Sequence, residues 1–160
     1  MSGPVQPLLH PSHWLVLLQI MRLLPIVFAV LSTAAVAAPK APFVGPNFSG
    51  TYDCKGEDGH EGPYTSTVTL QLVQDQSFAQ NGAYAFKMEV PGYGTYPGHA
   101  ATNGMTGAIH FALTDPAPKD YGTGVARFAK DKGGKWRFTK FYYEPEFKGG
   151  NYGTEACVQK

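Results

Sequence analysis

The chain has 160 residues, two cysteines, and 13 Lys or Arg against 12 Asp or Glu. Arg22 is the only one of these charges in the first 37 residues, which read as an export leader, so the remainder from Ala38 to Lys160 is formally neutral. That remainder has the length of one domain, and its neutrality without a basic block excludes an electrostatic footprint for nucleic acid or for an anionic membrane surface.

Residues 21–38 carry a short basic start at Arg22, an apolar run and a tail of small residues, the anatomy of a secretory signal. Cleavage after Ala37 uses Ala35 and Ala37 as the small recognition positions and keeps Pro39 away from the scissile bond. Met21 reads as the true start, with the stretch holding Pro4, Pro7 and Pro11 as an upstream extension. A membrane span from Trp14 to Ala38 is long enough, but it would bury Arg22 at a cost of about 2.5 to 3.5 kcal/mol. The expectation is a periplasmic or secreted protein, soluble and free of the membrane once the signal is removed.

Residues 38–47 contain three prolines and are expected to form an extended lead-in to a single domain over 48–159. Leu occurs only three times after the leader, while Tyr, Phe, Thr and Gly are abundant, a composition suited to strands and turns. Phe48 to Lys55 is the first predicted strand, followed by a polar turn from Gly56 to Pro63. Tyr64 to Gln74 alternates Val68, Leu70 and Leu72 with Thr67, Thr69 and Gln71, the period of a half-buried strand. Asn81-Gly82 is a turn signal, and Ala83 to Val90 alternates again. Pro91 to Gly104, rich in Gly and Pro, is expected to be mostly loop. Thr106 to Thr114, Tyr121 to Lys130, Lys135 to Tyr143 and Asn151 to Gln159 complete the series, with Asp131-Lys132-Gly133-Gly134 as a hairpin connection. The fold class is therefore all-β, a single antiparallel meander of seven or eight strands closed into a barrel, with a sandwich as the alternative.

Cys54 and Cys157 fall in the first and last predicted strands, and an oxidising compartment favours a disulfide between them. Such a bond brings the chain ends together, as a closed barrel does. It also constrains Glu155. If Cys54 points inward with Phe48 and Tyr52, its partner Cys157 does so too, and Glu155 follows two residues away. A buried carboxylate then needs a partner, for which Tyr52, Arg127, Lys140 or a bound ligand are the candidates. The alternatives are outward-facing cysteines, or a bulge at Gly153 that turns Tyr152, Ala156 and Val158 into the core.

Asn47-Phe48-Ser49-Gly50-Thr51-Tyr52 resembles the opening strand of lipocalin and avidin-type barrels, with Tyr52 where those have Trp. Tyr52-Asp53-Cys54, with a second cysteine near the end, is similar to the periplasmic C-type lysozyme inhibitor family, whose later Ser-Gly and Trp-Lys-Gly features are absent. Both resemblances imply a small barrel, and the second implies a terminal disulfide. Neither supplies ligand or inhibitory residues.

No motif marks a catalytic constellation, a metal site or a cofactor. The acidic turn from Glu57 to Glu61 lacks calcium-loop spacing and is read as solvated. His60, His99 and His110 are too scattered for zinc, with His110 facing outward. Glu144 and Glu146 share a face if the chain is extended, and are read as a polar rim. The aromatic segment from Pro91 to His99, with Tyr93, Tyr96 and His99, could join Phe141, Tyr142, Tyr143, Phe147 and Tyr152 around one rim of the barrel. The functional expectation is a binding protein, not an enzyme, and a monomer, whose aromatic-rimmed mouth takes a small ligand through Tyr93, Tyr96, His99, Tyr142, Tyr143 and Glu155. The alternatives are a protein-binding module or inhibitor of a secreted hydrolase acting through Pro91 to Gly104, and an enzyme.

Overall fold

In the computed structural model the described residues are Lys40–Lys160. The leader, its cleavage point and the start at Met21 lie outside them. Alternation of apolar and polar residues along nearly every segment produces eight strands. These are β1 (Gly50–Asp58), β2 (Gly62–Leu72), β3 (Asn81–Val90), β4 (Gly94–Asn103), β5 (Thr106–Ala112), β6 (Tyr121–Lys130), β7 (Trp136–Glu144) and β8 (Asn151–Gln159). Each pairs antiparallel with its sequence neighbours, and β8 pairs with β1 to close the barrel. Closure excludes the sandwich and leaves no free edge in the ladder.

The seam is covalent. Cys54 and Cys157 stand directly opposite each other in the β1–β8 register and form a disulfide with a Cα separation of 4.1 Å. Both side chains point inward and are buried, so no bulge reverses the alternation. Gly153, Glu155 and Cys157 face in, while Tyr152, Ala156 and Val158 face out.

Two predicted turns are strand instead. The β2–β3 reversal occurs at Ala79 and Gln80, where Phe78 and Asn81 exchange backbone hydrogen bonds of 2.9 and 2.7 Å, and Asn81-Gly82 opens β3. Gly82 is needed there for close packing, since a Cβ would lie 2.6 Å from the Tyr84 ring and 2.7 Å from Thr102 Oγ1. Pro91 to Gly104 is mostly β4. Its Pro97 sits opposite Lys87 of β3, one residue before pairing with β5 begins at Gly98, a stretch with a single strand beside it where a missing N–H is tolerated. The turn expected over Gly56 to Pro63 shrinks to Gly59–Glu61, because β1 and β2 pair out to Asp58↔Gly62.

The two ends of the barrel differ. At one end Phe48 is fully buried, stacked on Phe128 at a centroid distance of 3.9 Å and set edge-on to Trp136 at 4.8 Å. The Tyr84 hydroxyl holds this plug in place by donating to the Pro46 carbonyl (3.0 Å) and accepting from the Phe48 N–H (3.2 Å). The lead-in therefore seals the end at which β1 starts. The opposite end is ringed by the turns after β1 and β3 and by the connections β5–β6 and β7–β8, and it is open.

Candidate functional site at the open barrel mouth

The floor of the mouth is a buried ion pair. Lys140 of β7 and Glu155 of β8 are opposed in register, both point inward, and Lys140 Nζ lies 2.8 Å from Glu155 Oε2. Ser66 of β2 donates to Glu155 Oε1 at 2.5 Å. Glu155 thus meets the inward, partnered alternative, with Lys140 rather than Tyr52 or Arg127 as its partner. The Tyr52 hydroxyl instead donates to the Phe48 carbonyl at 2.7 Å, and Arg127 is exposed. The Lys140 ammonium also lies 5.1 to 5.6 Å from the ring centroids of Phe86, Phe111 and Tyr142, within cation–π range.

Above this floor is a cavity of about 50 Å³, room for roughly three or four waters. Its walls include Tyr64, Tyr96, Phe111, Tyr142 and Phe147, and Tyr93 stands at its lip. Two of the rings are seated by glycines on neighbouring strands. A Cβ at Gly56 would lie 2.2 Å from the Tyr64 ring, and one at Gly153 would lie 2.2 Å from the Tyr142 hydroxyl. In each case Gly and Tyr are direct cross-strand partners, so the absent side chain lets the ring lie across the barrel interior. Burial pushes the phenols of Tyr64, Tyr96 and Tyr142 well above their ordinary range, so they remain protonated donors.

Three carboxylates share this mouth. Asp58, at the end of β1, accepts from the Tyr142 hydroxyl (2.8 Å), Asn151 Nδ2 (2.7 Å) and the N–H groups of His60 and Glu61 (2.9 Å each). Burial works against its charge, but the Glu61 N–H, Asn151, the His60 N–H and Tyr142 together hold it below the usual carboxylate range. Asp120, just before β6, accepts from the Tyr96 hydroxyl at 2.7 Å. Its Oδ1 is buried and meets no donor among the described residues, and burial raises its pKa. Glu144, at the end of β7, accepts from Asn151 Nδ2 at 2.5 Å, and burial pushes its pKa up to about 7, with Asp120 and Asp58 adding to the rise.

No Lys, Arg or His ion pair among the described residues includes Asp58, Asp120 or Glu144. Glu61, at the lip, is matched by Lys148 and accepts from the Tyr93 hydroxyl. The mouth therefore carries more acidic than basic groups, with Lys140 at its floor acting on Glu144 as well as on Glu155.

The structure brings Tyr93, Tyr96 and Tyr142 together at this site, with Glu155 beneath them. It places the other two predicted binding residues elsewhere. His99 is on the outer face of β4, its ring 5.2 Å from that of His110 across the β4–β5 pair. Tyr143 alternates outward from Tyr142 and is 49% exposed. Phe141 and Tyr152 also face outward and leave the rim, while Phe147 joins it. Glu144 and Glu146 do not share a face, because β7 ends between them. Glu144 turns into the mouth, and Glu146 pairs outside with Lys119 and Tyr121. Asp58, expected in a solvated turn, belongs to the mouth. Asp120 and Tyr64 escaped sequence reasoning: Asp120 follows a loop without periodicity, and Tyr64 gains its place only through Gly56. Glu144 was legible, since Phe138, Lys140, Tyr142 and Glu144 form one period-2 face.

No protein-family model matches the chain, and no curated protein or solved structure shows significant similarity to it. Among the described residues no helix is long and apolar enough to cross a membrane. The Cys54–Cys157 disulfide is compatible with an extracellular or periplasmic setting.

Proposed function

We propose that this barrel is an exported binding protein that takes a small ligand in its open mouth. The observation that carries this reading is the asymmetry of the two ends. One is plugged by Phe48, while the other keeps an aromatic-walled cavity into which Asp120 presents an unmatched buried oxygen. Eight-stranded barrels have an interior just wide enough to be filled by side chains or to hold one small ligand, and apolar cavities with a few convergent polar groups are where ligands bind. The role is binding, without chemistry, and the protein acts as a monomer in the periplasm or outside the cell.

The reading is tested by native mass spectrometry of the protein purified from the compartment into which it is exported. The expected result is a mass increment that disappears on denaturation and is lost in Tyr96→Ala and Tyr142→Ala variants. A bare mass, together with no change at mouth residues when a small-molecule library is added, refutes it.

A second reading, docking on another secreted protein, is favoured by a different surface from the one expected. Pro91 to Gly104 offers only the short turn Pro91–Tyr93 beyond β4. Phe141, Tyr143 and Tyr152, however, stand exposed together on the outer face of β7 and β8.

A further inference from the structure

The chemistry of the ligand can be argued from the charge and the walls of the mouth, given the binding reading above. Asp58, Asp120 and Glu144 converge there without an ion-pair partner among the described residues, and Asp120 Oδ1 is buried without a donor. Lys140 beneath them offsets them only in part, since its ammonium pairs with Glu155 at 2.8 Å while also acting on Glu144. Lys148 is committed to Glu61. An anionic ligand would add repulsion, and a neutral one would deepen the desolvation of uncompensated charge.

A bare metal ion fits poorly. Hard cations take six to eight oxygen ligands at about 2.3 to 2.6 Å, whereas the three carboxylates do not bring oxygens within 4.8 Å of one another as a trio. Much of the wall around them is aromatic, from Tyr64, Tyr96, Phe111, Tyr142 and Phe147. An organic cation uses both features, since aromatic faces attract a desolvated ammonium or guanidinium and spaced carboxylates accept its N–H groups. The protein itself provides a precedent at this place, because the Lys140 ammonium rests among the rings of Phe86, Phe111 and Tyr142 at 5.1 to 5.6 Å.

We infer that the barrel mouth binds the head of a small organic cation, an alkylammonium or guanidinium group, with Asp58, Asp120 and Glu144 as counter-charges and Tyr96, Tyr142 and Phe111 as walls. A cavity of about 50 Å³ admits only a head group, so the rest of the ligand leaves past Tyr93, which is 53% exposed.

The test is a titration of the purified protein at pH 8, followed by backbone and tyrosine-ring NMR shifts. The probes are n-propylammonium and guanidinium at millimolar concentration, the neutral isosteres n-propanol and urea, propionate, and calcium chloride. The expected result is saturable shifts at Tyr64, Tyr96 and Tyr142 for the two cations, with affinities roughly tenfold or more above those of the neutral isosteres. Glu144→Gln and Asp58→Asn should each weaken the cations several-fold and leave the neutral probes unchanged.

If the neutral probes or propionate saturate the same residues as tightly as the cations, the mouth is a binding site but its ligand is not a cation. If calcium saturates the site and displaces the ammonium probe, the organic class is wrong. If no probe moves the mouth residues, both the cation assignment and the binding reading fall.

Discussion

Replacing Lys140 by Met tests whether the centre of the barrel depends on charge pairing. The substitution keeps most of the side-chain volume and leaves Glu155, fully buried, with only the Ser66 hydroxyl at 2.5 Å to support its charge. Removing one partner of a buried pair costs about 3 to 5 kcal/mol, because the remaining ion stays desolvated. For a domain of this size that corresponds to a fall in Tm on the order of 10 to 20 °C. The double variant Lys140→Met with Glu155→Leu removes both charges and replaces them with apolar groups. It should recover most of the loss and fall within about 1 to 2 kcal/mol of the parent, although Ser66 then loses its acceptor. Urea unfolding of the four members of the cycle, with the disulfide intact, gives the coupling directly. A Lys140→Met variant destabilised by less than about 1 kcal/mol, or a double variant no better than the single, would refute the reasoning. Either result would mean that Glu155 is supported by something other than this ammonium.

Three further outcomes are expected. Opening the seam by replacing Cys54 and Cys157 with Ala frees a loop spanning a sequence separation of 103, and chemical denaturation should register a loss of about 2 to 5 kcal/mol; no loss would show that the β1–β8 pairing closes the barrel unaided. Glu144 binds its proton more tightly in the fold than in the unfolded chain, its pKa rising from 4.5 to about 7, so its contribution to stability declines as pH climbs through that window. Glu144→Gln should therefore gain on the order of 1 kcal/mol at pH 8, discounted for partial solvent access, and nothing at pH 4; equal gains at both pH values in thermal melts would contradict this. Gly153→Ala would set a Cβ 2.7 Å from the Glu57 carbonyl oxygen and against the Tyr142 hydroxyl. It should cost about 1 to 3 kcal/mol, with near-UV circular dichroism reporting the displaced tyrosine.

The barrel itself was legible because its strands are two-faced. Val68 and Leu70 against Thr67 and Thr69, or Phe138, Lys140 and Tyr142 against Thr139 and Phe141, reveal the period whatever the tertiary context. The cysteine positions added closure, and strand parity carried Glu155 inward with them. The acidic mouth was not legible in the same way. Asp58 and Asp120 lie at strand ends, where alternation stops carrying information and the direction of a side chain depends on turn geometry. The turn signals misled where glycine served packing. Gly82 was read for its backbone freedom, yet it is required for the absence of a Cβ beside Tyr84. Aromatic residues close in sequence also suggested one rim, but alternation sends Tyr142 inward and Tyr143 outward, so neighbours in the chain part company in space.

The last strand has a consequence for how the molecule is made. A ribosome delivers β1 first and β8 last, and pairings between distant parts of the chain are the slow ones. Until β8 emerges, Cys54 has no partner thiol, Lys140 has no counter-ion, and Asp58 and Glu144 lack the amide of Asn151 that joins them. Seven strands alone would hold a buried ammonium, a free sulfur and two open edges. The nascent chain is thus denied a stable partial product, and a copy truncated before Asn151 would expose itself to proteases and to aggregation instead of persisting as a nearly finished barrel.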